Sequence, residues 1–360
     1  LHRNAEGPLK KILAKRHPVE IAFFIRDLTP RDTKKLFTHI SDDKSRAEVL
    51  AELDMRDQVE LIQSIKPDDA LKIFHYMEND DLTDLMEELE EEQRNTFLEL
   101  MKDEDQEAVE ALLTYDSSTA GGIMNPSFLA LSPNLTAMET IEFIQQSSED
   151  YATTFYIYVL NTADQLSGVL SLIQLVTCKS DTKLKDLMTP EVVSVPISMD
   201  QEEVADIVER YGFLAVPVVD TDNRMLGVVT VDDVIDVIRE EATEDIFKMA
   251  GAGDDIQYFQ EPIWEGLKPR LSKLLMPLLG GVLATLLLTW KGMTFFGPGV
   301  MLLFLLPILL LLTHNVATQT STLVVRGLSM GRITAGDFSK ILRRELAMGI
   351  LLGIFFGLIV

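Results

Sequence analysis

What most constrains the fold of this chain is a stretch near its C-terminal end where a long apolar run turns abruptly polar. Phe304-Leu305-Leu306-Pro307-Ile308 through Leu312 lead without a break into Thr313-His314-Asn315-Val316-Ala317-Thr318-Gln319-Thr320-Ser321-Thr322, and Val324, Val325 and Arg326 follow. A membrane helix that carries so many oxygen-bearing side chains must direct them at protein, water or a solute. Lipid cannot satisfy them, and each unsatisfied group costs several kcal/mol. Polar clusters inside a membrane mark pathways. The alternative is that these side chains tie helices together by interhelical hydrogen bonds.

Charge divides the chain in the same way. The net charge is −25 over 360 residues, yet residues 266–360 hold only 2 of the 57 acids and 9 of the 32 basic residues. The acidic remainder argues against nucleic acid or anionic lipid as its partner and in favour of cations. Cys178 is the single cysteine, so no internal disulfide forms and a reducing compartment fits. Three apolar segments, 274–290, 295–325 around Pro307 and 346–360, contain no acid, and spanning a bilayer takes about 20 such residues. Lys268, Arg270 and Lys273 precede the first segment, and only Lys291 lies in the loop after it. Arg326, Arg332, Lys340, Arg343 and Arg344 fill the second loop. The positive-inside rule then places the N-terminal part and the second loop in the cytoplasm of a multi-pass protein of the inner (plasma) membrane.

Two repeats organise the acidic part. Leu53, Ile65, Met77, Leu89, Met101 and Leu113 recur every twelve residues, with Leu28 and Ile40 slightly out of phase before them. Proline and acid breaks fall between them, at Thr29-Pro30, Ser41-Asp42-Asp43, Lys66-Pro67-Asp68-Asp69 and Asn79-Asp80-Asp81. Asp and Ser suit helix N-caps and Pro the first helical turn, so the pattern predicts short helices stacked as a superhelix. Farther on, Met124-Asn125-Pro126 recurs as Met188-Thr189-Pro190, and Gly168-Val169-Leu170-Ser171 recurs as Gly227-Val228-Val229-Thr230. Each copy, about 60 residues, reads as strand, helix, two strands, helix. The hairpin strands are 155–160 with 167–170, and 215–219 with 225–229. This arrangement resembles a tandem CBS pair, which implies adenine-nucleotide binding, with Thr230 and Asp233 toward ribose and phosphate. On chemistry alone these two residues serve equally well to cap the helix that follows.

With the membrane stretch added, the resemblance covers the chain in order. The carrying residues are Tyr115-Asp116 with Thr119-Ala120-Gly121-Gly122-Ile123-Met124, Asp200-Gln201-Glu202-Glu203-Val204-Ala205, Ala215-Val216-Pro217-Val218-Val219-Asp220, Thr230-Val231-Asp232-Asp233-Val234, Glu241-Ala242-Thr243-Glu244-Asp245-Ile246 and the Pro307 to Leu328 stretch. Together they look like the MgtE family of magnesium channels/transporters. The resemblance implies a multidomain membrane protein: an all-α superhelical N-terminal domain over 1–120, α/β CBS repeats over 121–180 and 181–240, a connecting plug helix over 241–270, and an α-helical transmembrane bundle from 271 to 360. It further implies a homodimer in membrane lipid, no enzymatic activity, transport of Mg²⁺, closure by intracellular Mg²⁺, and ATP as a ligand of the CBS cleft. The family has five membrane helices with a pore carboxylate in the last, and this sequence ends within the third. The family position after Tyr211, often acidic, is Gly212; His314 and Ala317 stand at positions usually occupied by glycine.

By motif position, the resemblance assigns regulatory cation contacts to Asp80, Asp81, Asp200, Glu202, Asp233, Asp236, Glu241, Glu244 and Asp245, and the pore lining to Asn315, Thr318, Gln319 and Ser321. The physics of Mg²⁺ agrees with a sensor of that kind. A hard ion that keeps most of its water binds through one or two carboxylates at a time. Asp232, Asp233, Asp236, Glu240, Glu241, Glu244 and Asp245 fall on consecutive turns of one expected helix, where like charges three or four apart repel. A solvated acidic helix is the plainer reading of the same residues. The rival functional reading is a CBS-containing membrane regulator that senses nucleotide and transports nothing.

Overall fold

The computed structural model describes residues 6–26, 28–146, 155–250, 263–296, 306–329 and 338–359. Two compact units, Leu1–Val237 and Ile238–Val360, divide the chain. The first begins with short helices: α1 (Glu6–Leu13), α2 (Pro18–Ile25), α3 (Pro30–Phe37), α4 (Asp43–Ala51), α5 (Met55–Ser64), α6 (Pro67–Phe74), α7 (Asn79–Glu88), α8 (Glu91–Leu100) and α9 (Asp103–Leu112).

The expected breaks start these helices. The Thr29 and Asp42 side chains accept hydrogen bonds from the Asp32 and Ser45 amides, and Pro30 and Pro67 occupy first-turn positions where a missing N–H is harmless. The twelve-residue repeat marks the other ends. Ile65, Leu89, Met101 and Leu113 are C-cap residues, folded inward against the core. Helices stack on their second neighbours, α2 on α4 on α6 on α8 in one layer and α3 on α5 on α7 on α9 in the other. Leu50, Ile62, Ile73, Leu85 and Met86 fill the seam between them.

The rest of the first unit holds the paired sheets. The first copy contains β1 (Ala130–Leu131), α10 (Ala137–Gln146), β2 (Tyr156–Leu160), β3 (Leu166–Ser171) and α11 (Leu172–Thr177). After α12 (Leu184–Leu187) the second copy repeats it as β4 (Val195–Pro196), α13 (Gln201–Tyr211), β5 (Ala215–Val219), β6 (Met225–Thr230) and α14 (Val231–Ala250). Each sheet pairs its short strand parallel to the middle strand and the middle strand antiparallel to the third, with an irregularity at Val159/Leu160 and at Val218/Val219.

The Met-x-Pro motifs cross over between copies. Asn125 bridges Val228 of the second sheet, while Thr189 bridges Val169 of the first. A Cβ on Gly227 would lie 2.9 Å from the Met124 sulfur, and one on Gly168 would lie 2.5 Å from that of Met188, so glycine is what lets each methionine seat.

The second unit contains the latter part of α14 and three long helices, α15 (Ile263–Phe296), α16 (Leu306–Ser329) and α17 (Phe338–Ile359). Arg270–Trp290 and Leu306–Leu328 are long and apolar enough to cross a membrane. Leu274, Leu278, Ile308, Leu323, Met348, Leu352 and Phe356 form the seam of the three-helix packing. Most other large apolar side chains, such as Met276, Leu279, Leu283, Leu310, Ile350 and Leu358, face outward, as they do in lipid and not in water.

Of the expected second segment, 295–325 around Pro307, residues 297–305 lie outside the described residues, and 306–325 belong to α16. Arg332 also lies outside the described residues.

Candidate functional site

The site forms where the start of α7 meets the start of α14, both within the first unit. Glu78 is the N-cap of α7 but makes no capping bond, and Asp80 and Asp81 follow in the first turn. Instead of capping, Glu78 Oε2 accepts a hydrogen bond from Asn125 Nδ2 at 2.8 Å, and Asp80 Oδ1 accepts from the same nitrogen at 3.1 Å. Asn125 is 1% exposed and held on every side. Its backbone pairs with Val228 in both directions, and its Oδ1 accepts from the Ser127 amide at 2.9 Å. Asn79 ties the same loop down by donating to Ser127 Oγ at 3.1 Å.

On the opposite side, Thr230 caps α14. Its hydroxyl is hydrogen-bonded to the Asp232 and Asp233 carboxylates, and its amide donates to Asp233 Oδ2 at 3.3 Å.

These carboxylates repel one another across a partly dry junction. Burial, then the charges of Asp81, Asp233 and Asp232, pushes Glu78 up to about 7, although the residue as a whole is exposed. Asp80, 7% exposed, is held well above the ordinary carboxylate range by burial and by Asp233, Asp81 and Glu78. Asp81 is pushed up to about 6 by burial, then by Asp236, Glu52 and Asp232. Burial likewise raises Asp233 to about 6, with its hydrogen bond to Thr230 working in the opposite direction. No arginine or lysine figures among these influences; the relief comes only from uncharged donors. A buried carboxylate without a cationic neighbour either takes up a proton and becomes neutral or stays ionised beside a metal ion. The donors are hard oxygens, which match Mg²⁺ or Ca²⁺ over softer metals. Among the described residues no group of three or more His, Cys, Asp or Glu side chains is placed to hold a metal ion. A loose set fits an ion that retains its water.

The structure brings together four of the expected cation contacts, Asp80, Asp81, Asp233 and Asp236, and adds Glu78, Asp232 and Asn125. Asn125 left a trace in the sequence: of the two Met-x-Pro copies, only the first carries an amide side chain, Asn125 against Thr189. The remaining expected contacts fall elsewhere. Asp200 is the N-cap of α13 and accepts from the Glu202 amide at 2.9 Å. Glu241, Glu244 and Asp245 lie farther along α14, in the second unit, where Glu244 pairs with Lys248. Gly212 ends α13 at φ +66°, which explains why a glycine stands there. For a nucleotide the fit is less open, because Thr230 is buried and both it and Asp233 are engaged in capping.

In α16, Asn315, Thr318 and Gln319 share a face by their spacing, while Ser321 lies roughly 120° away around the helix. Asn315 Nδ2 donates to the Leu311 carbonyl at 2.8 Å and Thr318 Oγ1 to the His314 carbonyl at 2.9 Å, so both side chains lie along their own helix. Gln319 is buried, and its Oε1 has no hydrogen-bond partner among the described residues. His314 borders an open apolar groove of about 620 Å³ with Leu288, Leu306, Pro307, Leu310 and Leu311.

Comparison with known proteins gives matches along the same order of parts. Residues 16–118 match the MgtE intracellular N domain, 184–240 the CBS domain, and 306–360 the family described as divalent cation transporter, MgtE. The magnesium transporter MgtE of Thermus thermophilus is 36% identical over 249 residues, covering 68% of this chain and 55% of the relative. That of Bacillus subtilis is 33% identical, covering 69% and 55%. The chain thus spans about half the length of these curated relatives. A crystal structure of the cytosolic domain of the Mg²⁺ channel MgtE in complex with ATP superposes with a TM-score of 0.61 at 32% identity, covering 63% of this chain and 93% of that one. The soluble part of a magnesium transporter gives 0.61 at 31% identity, covering 66% and 93%.

Proposed function

Because the chain belongs to the MgtE family, we propose that it is part of a Mg²⁺ channel or transporter whose path is closed when intracellular Mg²⁺ joins the carboxylates of α7 and α14. The observation that carries this reading is the junction itself: Glu78, Asp80, Asp81 and Asp233 crowd together with their ionisation suppressed, and no basic side chain among the described residues figures in the main influences on them. Mg²⁺ bound there supplies positive charge and lets the carboxylates stay ionised while α7 and α14 remain together. Asn125 keeps Glu78 and Asp80 aimed into the junction, and Thr230 holds the first turn of α14. Asp200, Glu202, Glu241, Glu244 and Asp245 are proposed as further regulatory contacts in the assembled protein, taken to be a homodimer in the plasma membrane with cytoplasmic N-terminal domains. The transported ion passes along α16, with Asn315, Thr318, Gln319 and Ser321 as its proposed lining. Neutral oxygens of that kind guide a hydrated divalent ion without trapping it.

A nucleotide role is supported by a specific relative, since the cytosolic domain of one MgtE channel was solved in complex with ATP. In this chain ATP at Thr230 and Asp233 would compete with the α14 cap, so we assign it a secondary part.

Flux of Mg²⁺ into vesicles carrying the protein, followed with an internal indicator, tests the main reading. Inward flux is expected to fall as internal Mg²⁺ rises through the millimolar range, and Asp80→Asn with Asp233→Asn is expected to blunt that fall. Equal inhibition in the double variant would remove the regulatory assignment, and absence of flux would remove the transport assignment.

A further inference from the structure

The membrane unit contains a charged network that the polar stretch of α16 does not foreshadow. Arg270 lies at the start of the first span and is 1% exposed. Its Nη1 and Nη2 donate to Glu345 Oε2 and Oε1 at 2.9 and 3.3 Å, a two-pronged pair joining α15 to α17. Thr320 of α16 donates to the same Glu345 Oε2 at 2.7 Å. One carboxylate thus joins all three helices. The sequence places Glu345 just outside an acid-free apolar segment, but α17 begins at Phe338, which puts Glu345 inside the helix.

We propose that Arg270, Glu345 and Thr320 form a positioning lock that sets the rotation of α16, and with it the direction in which Asn315, Thr318 and Gln319 face. The lock lies one turn from the apolar seam, since Leu274, Leu323 and Met348 stand four, three and three residues beyond its members. That seam is Leu, Ile, Met and Phe throughout, and lipid tails are as apolar as these side chains, so it resists rotation weakly. A buried ion pair adds little net stability over an apolar contact of the same shape, and its best-attested use is to specify register. Thr320 is adjacent to Gln319 in sequence, so a rotation of α16 that breaks its bond to Glu345 carries the whole stripe with it. Arg270, Glu345 and Thr320 are positioning residues; none is assigned contact with the ion.

The inference rests on α16 lining the ion path, so the experiment separates the two claims. In the protein in its membrane, with Cys178→Ser, a single cysteine introduced as Thr318→Cys is labelled with a water-soluble maleimide, and Mg²⁺ flux is measured in parallel without that cysteine. Glu345→Gln is expected to change the labelling rate severalfold and to lower maximal flux about tenfold with the half-saturating Mg²⁺ unchanged. The charge exchange Arg270→Glu with Glu345→Arg is expected to restore both. If Glu345→Gln fails to fold, Thr320→Val is expected to shift labelling in the same direction and Thr320→Ser to return it. Unchanged labelling in a folded Glu345→Gln or Thr320→Val protein overturns the lock. Loss of flux from the unaltered protein would overturn the transport reading alone, because labelling still reports on the lock.

Discussion

Asn125 shows how much one side chain decides. Its amide is the shared donor to Glu78 and Asp80, and nothing larger than a hydrogen bond separates that arrangement from open repulsion between two carboxylates. Removing a buried donor that serves charged acceptors costs about 1–3 kcal/mol. Asn125→Leu is therefore expected to destabilise the metal-free protein by that amount in a denaturant titration. Asp80→Asn acts in the opposite direction. It removes the most deeply buried charge of the junction, and the chelator-treated protein is expected to melt at a higher temperature than the unaltered one. A lower melting temperature would show that Asp80 is stabilising as it stands, and the repulsion argument would fail.

Among the elements, the short helices owe their ends to the twelve-residue repeat and their starts to caps and prolines. Leu89 illustrates the first: it is a C-cap residue, 4% exposed, closing α7 over the core. Leu89→Ala is expected to cost about 2–5 kcal/mol, and since α7 carries Asp80 and Asp81, to weaken Mg²⁺ protection as well. Limited proteolysis with and without Mg²⁺ measures this, and an undiminished Mg²⁺ effect in a destabilised protein would detach α7 from sensing. Of the acids on α14, those from Asp232 to Asp236 take part in the junction in the first unit. The later ones, Glu241 to Asp245, lie beyond its end. Helical spacing made them look equivalent, and packing separates them.

For the molecule as a whole, the raised carboxylates make stability depend on pH in a definite direction. Each folded-state value lies above the unfolded one, about 4, so between about 4 and 7 the folded chain binds more protons than the unfolded chain. Stability is then greatest at the acidic end of that window and falls as pH rises through 6–7. For Asp81 alone the difference is roughly 3 kcal/mol. Without metal, the protein is expected to melt lower at pH 7.5 than at pH 5. Millimolar Mg²⁺ is expected to restore most of the loss at pH 7.5 and to change little at pH 5, where protons already hold the site. A Mg²⁺ effect equal at both values would place binding outside these carboxylates.

Local chemistry by itself determined the helix starts at Thr29 and Asp42, the two hairpins, the long acidic helix from Asp232 to Asp245 and the long apolar helices. Each depends on neighbours a few residues apart or on the apolar length of one segment. Only the tertiary structure decided which acids share a site, that Asn125 serves them and that Glu345 meets Arg270 and Thr320. Those contacts join residues separated by 25 to more than 100 positions, and repulsion, burial and hydrogen-bond geometry exist only once such distances are closed.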